Sequence, residues 1–217
     1  MVGRVTGTGS YVPENYYDNY DLEKFVDTSD PWIRERTGIA RRHIISEEET
    51  TVTMAWKASE RALEDAKIHA EEIDLIIVAT ISSNVVLPCT ACEVQKKLGA
   101  KHAVCFDLNA ACTGFLFAYN TAQTYIAAGL AKCALVIGTE SLSKLVDWTD
   151  RSTCILFGDE PLYFRQKRAI FRRWYSIQTG HRGRRSPVAV EQTIFIWMDR
   201  RYLNLRSDKC LYVSVNC

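Results

Sequence analysis

The stretch AVCFDLNAACTGFLFAYNTAQTYIAAG, residues 103–129, decides how this chain is read. Val104, Phe106 and Leu108 alternate with the period of a strand, and the small residues NAA that follow suit a tight turn. Residues 112–128 then predict a helix, apolar around nearly its whole circumference and closed by Gly129. This order of strand, turn and helix sets Cys112 at the first turn of a helix. Unpaired N–H groups and the helix dipole at such a place favour thiolate over thiol, drawing a cysteine's pKa from about 8.5 toward neutrality. Thr113 and Gly114 keep the approach small enough for a carbonyl to reach the sulfur.

Most free cysteines simply pack as small hydrophobes, and the other seven in this chain are read that way. Cys89 and Cys92 match half of a zinc or redox pair, but no second Cys or His pair stands at metal spacing, so no metal is expected. They fall three apart on a predicted helix over 89–98, which suits packing. Cys105, Cys133 and Cys154 lie in strand-like runs.

Outward from this centre the elements alternate. Residues 2–10 predict a strand ending in Gly7 and Gly9, and residues 21–27 a short helix. A second helix is expected with Asp30 as N-cap, Pro31 at its first position and Gly38 as its stop. Residues 40–45 suit an edge or hairpin strand. Over 50–67, Val52, Ala55, Ala62, Leu63 and Ala66 face away from Lys57, Glu60, Arg61 and Glu64, the mark of an amphipathic helix. Residues 74–80 and 134–139 predict buried strands, and 153–157 a last strand-like run. Strands alternating with helices of this length imply a layered α/β fold with a mostly parallel sheet. A helix apolar on all sides also needs cover on all sides, so Cys112 is expected inside a thick structure.

The first twenty residues show no charged head followed by an apolar core, and the longest apolar run, residues 75–81, is far below the roughly 20 residues of a membrane span. A soluble, cytoplasmic protein with reduced thiols is therefore expected.

Five segments, GTGSYVPE (7–14), DLEKFVDTSDPWIRERTGI (21–39), the strand at 74–80, FDLNAACTGF (106–115) and TDRSTCILFGD (149–159), resemble β-ketoacyl-acyl-carrier-protein synthase III. This family initiates type II fatty-acid synthesis on the thiolase fold. The resemblance implies that residues 1–159 are the N-terminal half of such a condensing enzyme. It makes Cys112 the nucleophile that takes an acyl group from acyl-CoA. Trp32 resembles the aromatic that stacks on the adenine of CoA, with Thr28, Arg36, Thr37 and Arg151 around its nucleotide and phosphate end. Phe157 falls near the acyl tunnel, and Leu87 near the acyl pocket lined by a neighbouring subunit. Indole and guanidinium groups suit stacking and phosphate binding. Read alone, Trp32 and Ile33 are better taken as anchors of a short helix, and Arg36 as a solvated surface charge. The family's substrates are acyl-CoA and malonyl-acyl carrier protein, it needs no cofactor, and it is a homodimer.

The match stops at Gly158-Asp159. Residues 1–160 carry 15 Lys+Arg against 23 Asp+Glu, a net of −8, whereas residues 161–217 carry 12 against 3, a net of +9. A switch at one residue to an Arg- and aromatic-rich stretch reads as a change of frame near codon 160. Residues 160–217 are thus expected to form an unrelated basic tail, out of frame and poorly ordered. Arginines interleaved with aromatics also suit RNA or an anionic membrane, although no nucleic-acid motif is present, and no nucleic-acid or membrane partner is expected. A half-domain that binds acyl-CoA or a partner without turnover is a further alternative. The family's HQAN and NTSAAS segments, which supply His and Asn for condensation, do not occur in these 217 residues, so condensation is not expected of them. Instability is expected too, from the apolar face of helix 112–128 left without a partner.

Overall fold

In a computed structural model of the chain, described over residues 3–159 and 212–216, the core lies around two strands that are apolar at almost every position. Two compact units divide the chain, residues 1–163 with 206–217 and residues 164–205; the second lies outside the described residues. In the first unit a five-stranded sheet runs in the order β1 (Arg4–Gly9), β7 (Tyr212–Asn216), β6 (Cys133–Gly138), β4 (Leu75–Ala79), β5 (Val104–Leu108). β4 is parallel to β5 and to β6, and β7 runs antiparallel between β6 and β1. The carboxyl ends of β1, β4, β5 and β6 therefore share one end of the sheet.

β4 and β6 are buried along their whole length because helices cover both faces. On one face Ile76, Val78, Leu135 and Ile137 pack with Ala55, Ala58, Ala62 and Val94 of α3 (Thr51–Ala66) and α4 (Thr90–Leu98). On the other, Leu75, Ile77, Ala134 and Val136 meet Phe115, Ala118, Ala122 and Ile126 of α5 (Gly114–Ala127). The result is a three-layer α/β/α arrangement, as the sequence pattern predicts. β1 approaches α3 so closely that a Cβ on Gly9 would stand 2.2 Å from Ala58 O and one on Gly7 2.4 Å from Ala66 N. No helix among the described residues is long and apolar enough to cross a membrane.

A satellite layer sits against the strand ends. α1 (Asn19–Leu22), α2 (Asp30–Thr37) and α6 (Arg151–Cys154) bury Leu22, Ile33, Cys154 and Ile155 together, beside a two-stranded ribbon of β2 (Tyr16–Asp18) and β3 (Arg41–His43). The buried Arg42 guanidinium binds Ile155 O through Nε at 2.9 Å and Asn19 Oδ1 through Nη1 at 2.7 Å. Asn19 Nδ2 in turn donates to Asp30 Oδ1 and Ile39 O. One network thus ties β3, α1, α2 and α6.

Several expectations need correction. Residues 153–157 are not a strand: Asp150 accepts bonds from Ser152 N and Thr153 Oγ1, caps α6, and starts a helical turn. Ser29, not Asp30, is the N-cap of α2, its side chain accepting from Trp32 N. The helix expected at 21–27 is the shorter α1, two residues earlier. Among the described residues α5 is covered on one face only, with Phe117 49% exposed on the other. From the tail, residues 212–216 contribute β7, while the poor order, the altered frame and the RNA or membrane role expected of 160–211 concern residues outside those described.

Candidate functional site

Cys112 lies where β5 ends. The chain leaves Leu108, whose carbonyl still accepts Thr80 N at 3.2 Å, and turns through Asn109 and Ala110. Ala111 then adopts φ +46°, a left-handed conformation that costs a non-glycine residue roughly 1–3 kcal/mol. A single turn of 3-10 helix, Ala111–Thr113, precedes α5, held by Thr113 N and Thr113 Oγ1 on Ala110 O at 3.2 and 2.8 Å. Gly114 lets the helix settle on the sheet, since a Cβ there would touch Ala79 Cβ at 3.3 Å. The strained corner turns Cys112 outward. Among the six described cysteines it alone is exposed; Cys89, Cys92 and Cys105 are half-buried and Cys133 and Cys154 buried.

The nucleotide-site candidates divide into those the fold assembles and those it uses elsewhere. The Trp32 ring has two guanidinium groups against it, Arg36 Cζ at 4.2 Å and Arg151 Cζ at 4.9 Å from its centroid. Arg151 reaches across from α6 and also donates through Nη1 to Asp27 O at 2.9 Å, next to Thr28, whose hydroxyl oxygen is buried without a hydrogen-bond partner in the described residues. Ile33, fully buried, anchors the helix from which Trp32 and Arg36 arise. Thr37 behaves differently: its hydroxyl donates to Ile33 O at 2.8 Å and accepts from Ile39 N at 3.0 Å, which commits it to ending α2. Phe157 (39% exposed) and Leu87 (85% exposed) stand on separate loops. Among the described residues no group of three or more His, Cys, Asp or Glu is placed to hold a metal.

Three buried carboxylates or near-buried ones escaped the pattern reading, because nothing local marks them. Asp107 on β5 accepts Thr90 N and Ala91 N, both at 2.8 Å, and so caps α4 from another element. Asp159, fully buried, accepts Ile45 N and Ser143 N at 2.7 Å and so ties the chain after α6 to the loops after β3 and β6. Glu140 follows β6, is 6% exposed, and accepts Ile81 N at 3.0 Å, Thr80 Oγ1 at 3.3 Å and Ser82 Oγ. It joins the loops after β4 and β6.

Burial pushes the Glu140 carboxyl above its ordinary value, although its hydrogen bonds pull the other way. A raised folded pKa means that the folded state keeps this proton longer than the unfolded chain. Its stabilising contribution is then fully present below the unfolded value near 4.5 and is lost as pH rises through the folded one. Glu140→Gln removes that titration. The variant is expected to gain stability relative to the parent between pH 4.5 and neutrality, measured as the shift in urea midpoint; a pH-independent difference would refute the assignment.

A thiol turn at the carboxyl end of a parallel strand, in this α/β/α arrangement, belongs to a thiolase-like fold, of which the chain matches about half the length of the solved structures. The profile of the 3-oxoacyl-[acyl-carrier-protein] synthase III family matches residues 106–160. A β-ketoacyl-[acyl-carrier-protein] synthase III of Clostridium acetobutylicum is 60% identical over 155 residues, which are 71% of this chain and 47% of that protein. The crystal structure of the Aquifex aeolicus 3-oxoacyl-[acyl-carrier-protein] synthase III superimposes with a TM-score of 0.71 at 52% identity, covering 72% of this chain and 51% of that one. The priming β-ketosynthase of the R1128 polyketide pathway gives 0.71 at 39% identity, covering 73% and 48%. The chain spans about half the length of the curated relatives it matches. Over this segment it belongs to the β-ketoacyl-[acyl-carrier-protein] synthase III family.

Proposed function

We propose that this chain carries the acyl-accepting half of a β-ketoacyl synthase III reaction, with Cys112 as nucleophile and acyl-CoA as donor. The observation that carries the proposal is the outward placement of Cys112 by the strained Ala111 corner. In the step itself the Cys112 thiolate attacks the thioester carbonyl. A new sulfur–carbon bond forms, the bond to the CoA sulfur breaks, and CoA leaves as a thiolate that takes up a proton. Trp32, Arg36 and Arg151 hold the nucleotide: the indole offers a stacking face and the guanidiniums pair with phosphate. Thr28 supplies a hydroxyl with no partner of its own. Thr37 acts through the end of α2, and Phe157 and Leu87 are assigned to the acyl path.

Condensation with malonyl-acyl carrier protein, the second half of the reaction, is outside what these 217 residues carry, since they contain no HQAN or NTSAAS segment. The cytoplasm is the proposed compartment and a second copy of the chain the proposed partner. Pairing of copies is supported by β5, an edge strand with Val104 56% exposed, and by the apolar loop Val85, Val86 and Leu87.

Iodoacetamide labelling at neutral pH tests the reading. Acetyl-CoA is expected to protect Cys112; equal labelling with and without it would overturn the assignment. Release of CO₂ from malonyl-acyl carrier protein by the purified chain would overturn the restriction to the first half. Trp32→Ala is expected to weaken CoA binding by roughly tenfold to a hundredfold, the effect of about 1–3 kcal/mol of lost stacking. Titration calorimetry with CoA checks it, and an unchanged affinity would remove Trp32 from the site.

A further inference from the structure

We propose that Cys89 and Cys92 form a second thiol site, a dithiol that closes to an internal disulfide by exchange with a small disulfide, independently of Cys112. Their Sγ atoms lie 3.4 Å apart, the Cys89 thiol donating to Cys92. That separation needs only a small adjustment of the side chains to reach the bond length of about 2.05 Å. Cys89 is the N-cap of α4, with extended backbone at φ −68° and ψ 162°, and Cys92 is the third residue of that helix. The cap position frees the first sulfur to swing over the first turn, where the second one waits. Both thiols are free and half-exposed.

The helix start is satisfied without either sulfur. Cys89 makes no side-chain capping bond, and Asp107 takes the Thr90 and Ala91 N–H groups from β5. Closing the disulfide therefore removes no cap. Cys105 is the nearby bystander: its thiol is directed to Ala103 O at 3.5 Å, and burial pushes it up to about 12. Burial raises Cys89 as well, with the Asp107 charge adding to it. Attack by Cys89 is accordingly slow at neutral pH and faster as pH rises.

The exchange balances with a small disulfide R–S–S–R as oxidant. One thiolate of the pair attacks a sulfur of R–S–S–R, forming a mixed disulfide and releasing R–S⁻. The neighbouring thiol gives its proton to solvent and attacks the protein sulfur of the mixed disulfide, releasing the second R–S⁻. The protein loses two protons and two electrons, and the small disulfide is reduced to two thiols.

The test is oxidised glutathione added to the full chain at pH 8.5, followed by alkylation of remaining thiols, trypsin and mass spectrometry. Cleavage after Lys67 and Lys96 isolates residues 68–96 with both cysteines, and cleavage after Lys101 and Lys132 isolates Cys105 with Cys112. The expected product is peptide 68–96 lacking two hydrogens, unchanged in a Cys112→Ala chain. Cys89→Ser and Cys92→Ser are each expected to stop at one glutathione adduct on the remaining thiol. The exposed Cys112 takes a glutathione adduct in the native chain and in concentrated urea alike, whereas Cys105 is expected to react only in urea. Glutathione adducts accumulating on the native pair without closure, pairing of either with Cys105 or Cys112, or a pattern identical in urea would each overturn the proposal.

Discussion

Cys112→Ala is expected to abolish the covalent acylation of this chain by acetyl-CoA while leaving its far-ultraviolet circular dichroism unchanged. The side chain is exposed, so its loss opens no cavity and removes no hydrogen bond from the turn, which is held by Thr113 on Ala110 O. The readout has an internal control, because Cys105 lies in the same tryptic peptide. That thiol, pushed up to about 12 by burial, has almost no thiolate at neutral pH. Fragmentation of the acylated parent should therefore place one acetyl group on Cys112 and none on Cys105. Acylation persisting in the variant, or found on Cys105 in the parent, would show that the acceptor had been misassigned. Cys112→Ser is expected to fall close to the alanine variant, since an alcohol is a far weaker nucleophile than a thiolate without a base to activate it.

How much of this was legible depends on how local the cause was. β4 and β6 announce themselves as unbroken apolar runs, and α3 by its alternation of alanine and charge, because burial on one or two faces is written into a few consecutive residues. Gly38 stops its helix as expected, at φ +74°, and Gly99 ends α4 in the same way, at φ +78°. The run Thr153–Phe157 misled because four consecutive apolar residues fit a strand or a helical turn equally well, and the Asp150 cap decided it. Cys112 was legible since strand, turn and helix are contiguous around it. Arg151 against Trp32 was not derivable from spacing: the two are brought together only when α6 folds over Ile33, and family resemblance, not periodicity, pointed to them. Asp107, Glu140 and Asp159 stayed hidden for the same reason, each serving N–H groups on a distant segment. The contact between Cys89 and Cys92 needed the N-cap geometry as well as the three-residue spacing.

The largest stability loss is expected at Gly9. A Cβ there would meet Ala58 O at 2.2 Å, Ala62 N at 2.3 Å and Ala62 Cα at 2.9 Å. All three are backbone atoms of α3, so no rotamer change relieves the clash and the strand must move off the helix. Gly9→Ala is expected to cost about 3 kcal/mol, the upper end for overpacking, and Gly9→Val to leave the chain largely insoluble, given the 5–15 kcal/mol that typically holds a domain together. Gly99→Ala separates this steric cost from a conformational one. Gly99 sits at φ +78° with nothing within 4 Å of an added Cβ, so its penalty is only the left-handed backbone, about 1–2 kcal/mol. Urea denaturation of the two alanine variants should thus rank Gly9 well above Gly99, and the reverse order would refute the close packing of β1 on α3. The consequence reaches the thiol. Gly9 ends β1 on the same side of the sheet as the turn that carries Cys112, and α3 begins there with Thr51 bonded to Ser82 O and Ser141 Oγ. Those loops follow β4 and β6, the strands on which α5 rests. Lifting β1 from α3 therefore loosens the strand ends together, and whatever Gly9→Ala remains folded should acylate Cys112 more slowly than the parent, whereas the Gly99→Ala chain should acylate at the parental rate.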